Sequence, residues 1–420
     1  MPFSLKRVMA KHKGRLVEQW VFDAHTPLLS SATVSDIDGD GNPEVIFGTK
    51  DGTLYCLDHH AKQRWVYEPE NKASTGADEY FMDQERMHAI SSSPTVADIT
   101  KDGKQEILFG AEDGTLHVVD HKGKLIWKQN IGGAIKASPK VVDLNNDGMP
   151  EILVTSSGRK MVVFTAKGKT LISFKVESTI SSTPGVYRSP DGGPSIIIFG
   201  LDDGTVHAVD AQEKPLWTFK ANDKVTAEPV FLKGAQPLVL IGSWDGTLYA
   251  LNLNGELVWK FSTGGAIHNK AAIADLNKDG KEEVIFGSCD NNIYALTNTG
   301  EKLWSYETDF WVLPSPVVVD IDNDGQLEVV AGSLDNNVYV LEGEGSYELE
   351  YMPGLSGIIN QAGHYADVLS QEPGERQGKR IWRYKTQGMI VGCTLLQEAK
   401  HTQLVVNVKS GFVDTLAHQS

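Results

Sequence analysis

The chain has 420 residues, a net charge of −16, 41 glycines and three cysteines. So acidic a composition excludes nucleic acid and an anionic membrane surface as partners, and no run of 18 apolar residues is present to span a bilayer. Cys56, Cys289 and Cys393 all fall in apolar, strand-like segments and read as buried thiols, with no disulfide framework.

The amino terminus, MPFSLKRVMAKHKGR, is basic but lacks an apolar stretch of signal-peptide length. That leaves a cytoplasmic location or export by a non-classical route. RLVEQWVFD (15–23) then reads as the last strand of a repeat whose beginning is missing. From there one hairpin signal recurs: FGTKDGTLYCLD from Phe47, FGAEDGTLHVVD from Phe109, TSSGRKMVVFT from Thr155 and FGLDDGTVHAVD from Phe199. It continues with IGSWDGTLYALN from Ile241, FGSCDNNIYALT from Phe286, AGSLDNNVYVLE from Ala331 and a degenerate VNVKSGFVDTL from Val406. The Asp-Gly and Asn-Asn tips suit turns that need positive φ. An aromatic-bearing strand follows seven of the copies, with Trp65, Trp127, Phe174, Trp217, Trp259, Trp304 and Trp382, and Trp20 supplies the eighth. These read as packing residues between repeats.

Four strands per unit, repeated eight times, predict an all-β fold: an eight-bladed β-propeller of four-stranded blades. The N-terminal strand completes the last blade, which removes exposed sheet edges. Residues 1–420 are expected to form a single propeller domain, because stacked repeats make one body. Two insertions interrupt the rhythm, at about 71–87 and 343–378, and long insertions in repeat proteins often carry specificity.

Five repeats carry a nine-residue loop of the form D-x-[D/N/T]-x-D-G-x-x-E. Positions 1, 3, 5, 7 and 9 are Asp36, Asp38, Asp40, Asn42 and Glu44 in the first and Asp98, Thr100, Asp102, Lys104 and Glu106 in the second. The third has Asp143, Asn145, Asp147, Met149 and Glu151; the fourth has Asp275, Asn277, Asp279, Lys281 and Glu283. The fifth has Asp320, Asp322, Asp324, Gln326 and Glu328. Calcium takes six to eight oxygens at about 2.3–2.6 Å. Side chains at 1, 3 and 5 of a tight loop converge, Gly at 6 allows the sharp turn, and position 7 is free to vary if only its carbonyl binds. Glu at 9 closes the shell, and Ile or Leu at 2 pins the loop to the core. The 17 carboxylates at positions 1, 3, 5 and 9 of the loops repel one another without a cation, so calcium at about five sites is expected to stabilise the fold. Magnesium, which prefers a tighter octahedral shell, fits less well. Thr100 makes the second site the weakest, and repeats four, five and eight lack the loop.

DIDGDGNPE followed by VIFG resembles the FG-GAP calcium repeats of integrin α-subunit propellers. VDHKGKLIW and LNLNGELVW resemble the strand repeat of quinoprotein-like (PQQ-like, BamB-like) eight-bladed propellers. The resemblance implies calcium loops on one face that hold blades in shape, and recognition on the opposite face around the central channel.

Most residues that begin the innermost strands are small, as close approach at an axis requires. Lys136, Glu228, His268 and Lys270 depart from that rule and, with Trp311 and Tyr80 as stacking platforms, could form a polar funnel for an anionic or carbohydrate ligand. No nucleophile elbow, zinc-protease motif or phosphate loop is present. The expected function is therefore a non-catalytic, monomeric, calcium-binding module for a protein or glycan partner. Two alternatives are a PQQ-dependent dehydrogenase, which the lack of an adjacent cysteine pair disfavours, and a polysaccharide lyase with Lys136, His268 or Lys270 as base.

Overall fold

The computed structural model describes residues 15–69, 88–190, 192–347, 376–397 and 402–419. The first insertion, with Tyr80, lies outside them, as does the middle of the second. The strands form eight antiparallel four-stranded blades, one of them extended by two short strands. Blade 1 is Thr33–Ser35, Glu44–Gly48, Leu54–Leu57 and Gln63–Tyr67. Blades 2 to 7 follow at 95–130, 140–175, 185–220, 230–262, 272–307 and 317–385. Blade 8 takes Ile390–Gln397, Thr402–Val408 and Phe412–Gln419 from the end of the chain and Arg15–Asp23 from its beginning. The closing ladder runs antiparallel from Arg15 opposite Gln419 to Asp23 opposite Phe412. The predicted eight blades and their closure both hold.

Sequence and packing agree strand by strand. The second strand of a blade is a short apolar run, such as EVIFG or EILFG, buried along its whole length because blades cover both of its faces. Outer strands alternate instead, as LVWKFS does, with one face to solvent. The core is therefore a ring of clusters between neighbouring blades, such as Ile46, Leu54, Ile107 and Phe109 between blades 1 and 2.

Tryptophan joins the blades by more than packing. Trp20, Trp65, Trp127, Trp217, Trp259 and Trp304 each donate an indole N–H to a carbonyl of the next blade, at 2.8–3.1 Å. The acceptors, His59, His121, Ala166, Leu253, Asn298 and Gly343, lie in or beside the turn between third and fourth strands. In four of these turns the ring covers Gly123, Gly168, Gly255 or Gly300, where φ is 75–85° and a Cβ would stand 2.6–2.8 Å from the indole. Blade 3 uses Phe174, and Trp382 of blade 7 packs on His418, because blade 8 has no turn between its third and fourth strands.

Antiparallel topology sorts the connections onto two faces. The acidic loops join first to second strands, and so share a face with the turns between third and fourth strands. The blade-to-blade connectors and the second-to-third turns occupy the opposite face. The ends of the second insertion, Ser346–Tyr347 and Arg376–Gln377, pair and extend blade 6 beyond its outer strand, which the repeat pattern did not foretell.

Trp304 is fully buried. Trp304→Phe keeps most of the ring but leaves the Gly343 carbonyl unpaired, and should cost about 1–3 kcal/mol in a denaturant melt. An unchanged midpoint would show that the indole N–H contributes nothing to blade docking.

Candidate metal centres and channel mouth

All five acidic loops share one wiring. The carboxylate at position 1 accepts the backbone N–H of position 5 on Oδ1 and that of position 6 on Oδ2; in blade 1 these are Asp40 at 3.2 Å and Gly41 at 2.8 Å, both to Asp36. Asp98, Asp143, Asp275 and Asp320 repeat the pair. Oδ1 of position 5 accepts the N–H of position 7 in each loop, at 2.7–2.9 Å. Glycine at 6 has φ of 84–88° with open space where a Cβ would go, so backbone conformation and not crowding demands it. Position 4 is also left-handed, in Gly39, Lys101, Asn146, Lys278 and Asn323, a constraint the sequence pattern hid.

The carboxylate at position 9 is the anchor. Oε2 of Glu44, Glu106, Glu151, Glu283 and Glu328 accepts the N–H of position 2 at 2.8–3.0 Å. All five side chains are buried, Glu44 and Glu328 to 1% exposure. Burial pushes each carboxyl above its usual range. The loops differ in what meets Oε1. In blades 2, 3 and 6 it faces a donor from position 3: Thr100 Oγ1 at 3.4 Å, Asn145 Nδ2 at 3.1 Å or Asn277 Nδ2 at 3.5 Å. In blade 7 position 3 is Asp322, and burial, reinforced by Asp322, Asp324 and Asp320, drives Glu328 up to about 8. In blade 1 position 3 is again acidic, Asp38, but the Arg64 guanidinium bonds both Glu44 Oε1 and Asp38 Oδ2.

The donor set fits a hard divalent cation. It is all oxygen, and one oxygen each from Asp320, Asp322 and Glu328 lies within 4.8 Å of the others, as do those of Asp36, Asp38 and Asp40. A calcium ion there would supply the positive charge that buried carboxylates lack. The sequences of blades 4, 5 and 8 lack the acidic pattern at this place; in blade 5 the Lys233 N–H goes instead to Glu282 of blade 6 at 2.9 Å.

On the opposite side the channel residues separate. Glu228 of blade 5 accepts from Lys140 Nζ of blade 3 at 2.7 Å and lies 3.3 Å from Lys270 Nζ of blade 6, so the ion pair skips a blade. His268 packs on Trp244, ring centroids 4.4 Å apart, and burial lowers its pKa, which leaves the imidazole neutral near pH 7. Trp244 donates to Thr226 Oγ1 at 2.9 Å and carries Lys224 Nζ 4.7 Å from its ring. Lys136 is exposed. Trp311 stacks on Phe310 with centroids 5.2 Å apart, and the two are 43% and 44% exposed. Their backbone is held: the Phe310 carbonyl accepts from Thr308 and Ser333 hydroxyls, and the Trp311 carbonyl accepts from Leu334 N–H. Equivalent connectors carry Gly133-Ala134 and Gly265-Ala266. Lys140, Trp244, Phe310 and Arg64 were not singled out from sequence; for Phe310, aligning the connectors was the missed signal.

A family model for the λ-carrageenase β-propeller domain matches residues 28–76 and 238–351. The rhamnogalacturonan exolyase YesX of Bacillus subtilis is 32% identical over 138 residues, covering 27% of this chain and 21% of that protein. The chain thus spans about a fifth of that relative's length. Among solved structures, BamB of Moraxella catarrhalis superposes with a TM-score of 0.62 at 16% identity, covering 96% of this chain and 99% of the other. The quinohemoprotein alcohol dehydrogenase of Comamonas testosteroni gives 0.65 at 12% identity, covering 96% and 76%. These structural likenesses carry the fold alone. Among the described residues no helix is long and apolar enough to cross a membrane.

A raised carboxyl pKa favours the protonated folded state, so its penalty grows as pH climbs from the unfolded value. In chelator, stability should therefore fall as pH rises from about 4.5 towards 8. Glu328→Gln should flatten that slope in melts across the range; a slope equal to that of the parent chain would show that Glu328 ionises freely.

Proposed function

We propose that this chain is a calcium-stabilised β-propeller that binds a polysaccharide on the face opposite its acidic loops. The single observation that carries the binding half is the exposed Phe310–Trp311 pair, pinned at the backbone and lying inside the longer stretch matched by the carrageenase propeller model. Sugar rings stack their C–H faces on such aromatic platforms. Polysaccharide is favoured over a protein partner because both sequence-level likenesses are to proteins named for acting on polysaccharides. Trp244, His268 and Lys270 lie in the same matched stretch, where they would supply polar contacts near the axis.

The calcium half rests on five loops of one wiring with a buried glutamate, the pattern that FG-GAP-type loops would require. Calcium should raise the melting temperature of chelator-treated protein far more than magnesium does. Absence of any shift would mean that the loops are acidic turns held by their own backbone N–H groups.

For the binding half, Trp311→Ala should weaken retention on immobilised acidic polysaccharides at least tenfold in affinity electrophoresis, with the calcium-dependent melt unchanged. Equal retention of both proteins would remove Trp311 from the site. The similarity to an exolyase favours one second reading, lyase action with neutral His268 as base. Release of unsaturated products would support it, and inactivity across a broad panel of uronate-containing polymers would leave binding alone.

A further inference from the structure

Every outer strand of blades 1 to 7 is interrupted at one place by a β-bulge, immediately before the tryptophan in six of them and before Ile172 in blade 3. The register shift leaves one residue unpaired there: Ile126, Leu171, Leu216, Val258, Leu303 and Ile381 in blades 2 to 7. All six are apolar. In blade 1 the residue is Arg64. The bulge lies at the end of the strand beside the acidic loop, and Arg64 turns its guanidinium into that loop. Nη1 meets Glu44 Oε1, and Nη2 meets Asp38 Oδ2 at 2.5 Å.

Blade 7 is the natural comparison. Its loop carries the same four acidic residues at positions 1, 3, 5 and 9, in the same backbone wiring, but its bulge residue is Ile381. There the buried Glu328 faces other carboxylates, and the bulge residue, Ile381, brings no guanidinium to the loop. In blade 1 two of the four carboxylates that a divalent ion would use are already bonded to a planar, permanently charged group, whose one positive charge they share. A calcium ion entering this loop would have to displace Arg64 from a side chain that is 1% exposed.

We propose that Arg64 is the resident cation of the blade 1 loop, which makes that loop independent of calcium while its four counterparts depend on it. This rests on the calcium reading above and changes its stoichiometry. Arginine at the bulge would let the blade that pairs early in the chain hold its shape whatever the calcium level. The loops of blades 2, 3, 6 and 7 would then fill or empty around a fixed one.

The test is a count of calcium per chain, by elemental mass spectrometry after saturation and desalting. Arg64→Leu, which places at the bulge the residue found in blade 4, should bind one more calcium than the parent protein. In chelator it should also melt at a lower temperature, and calcium should restore it. Equal counts in the two proteins would overturn the proposal. A second arm does not depend on that variant folding: Asp38→Asn should leave the parent count unchanged, whereas Asp322→Asn should lower it by one. Loss of an ion from Asp38→Asn would show that blade 1 binds calcium in spite of Arg64. No calcium in any of these proteins would sink the calcium reading and this proposal together.

Discussion

A ring of eight sheets shares one axis only if the last sheet meets the first, and here a backbone ladder makes that junction. Arg15–Asp23 pairs along its length with Phe412–Gln419, so the two ends of the chain complete one blade. Both flanking blades need this surface: Leu16 and Leu416 pack with Val338 and Ile390, while Phe22 and Val413 pack with Val45 and Phe47. Without it blades 7 and 1 would each expose an apolar face. Asp414 is buried at this seam with neither carboxylate oxygen hydrogen-bonded, and burial beside Glu18 pushes it up to about 6. The closing blade therefore carries a polar cost, as His59 of blade 1 and Asp202 of blade 4 do on a smaller scale.

Once the ring is closed, rigidity is distributed between two kinds of link. The indole-to-carbonyl bonds join blades 8, 1, 2, 4, 5 and 6 to the blade that follows, at the outer rim. The acidic loops brace the first and second strands within a blade, by tying a buried glutamate to the backbone at their own beginning. Both links act on the same face, together with the root of the second insertion. The opposite face is left to connectors whose side chains vary from Gly-Ala to Phe-Trp without disturbing the blades. That division of labour is the physical reason a ligand site is best sought there.

The loops illustrate how the same local geometry can carry different electrostatics. Thr100, Asn145 and Asn277 each turn a donor towards the buried glutamate, Arg64 turns a cation towards Glu44, and Asp322 turns a like charge towards Glu328. Desolvation makes these differences matter, because a buried carboxylate has no water to screen its neighbour. Along the channel, Glu228 lies within reach of two lysines from different blades, so its charge is answered at the axis by residues 88 and 42 positions away.

What was legible in the sequence was whatever repeats or closes within a few residues. Blade number followed from eight hairpin signals, and ring closure from an unmatched strand at each end of the pattern. The loops and their turn glycine followed because the pattern closes within nine residues, whereas the bond from the position 2 N–H to the buried glutamate appeared only in the structure. Trp311 could be read as exposed, since it breaks the repeat, but its stacking on Phe310 could not. Only tertiary structure decided the rest. Arg64 reads as an ordinary polar residue until a bulge turns it inward, and Lys140 reads as one more first-strand residue until the ring brings blades 3 and 5 together. Both pairings join residues far apart in the chain, and their distances depend on how twist and closure place whole blades. Local spacing carries no information about that geometry.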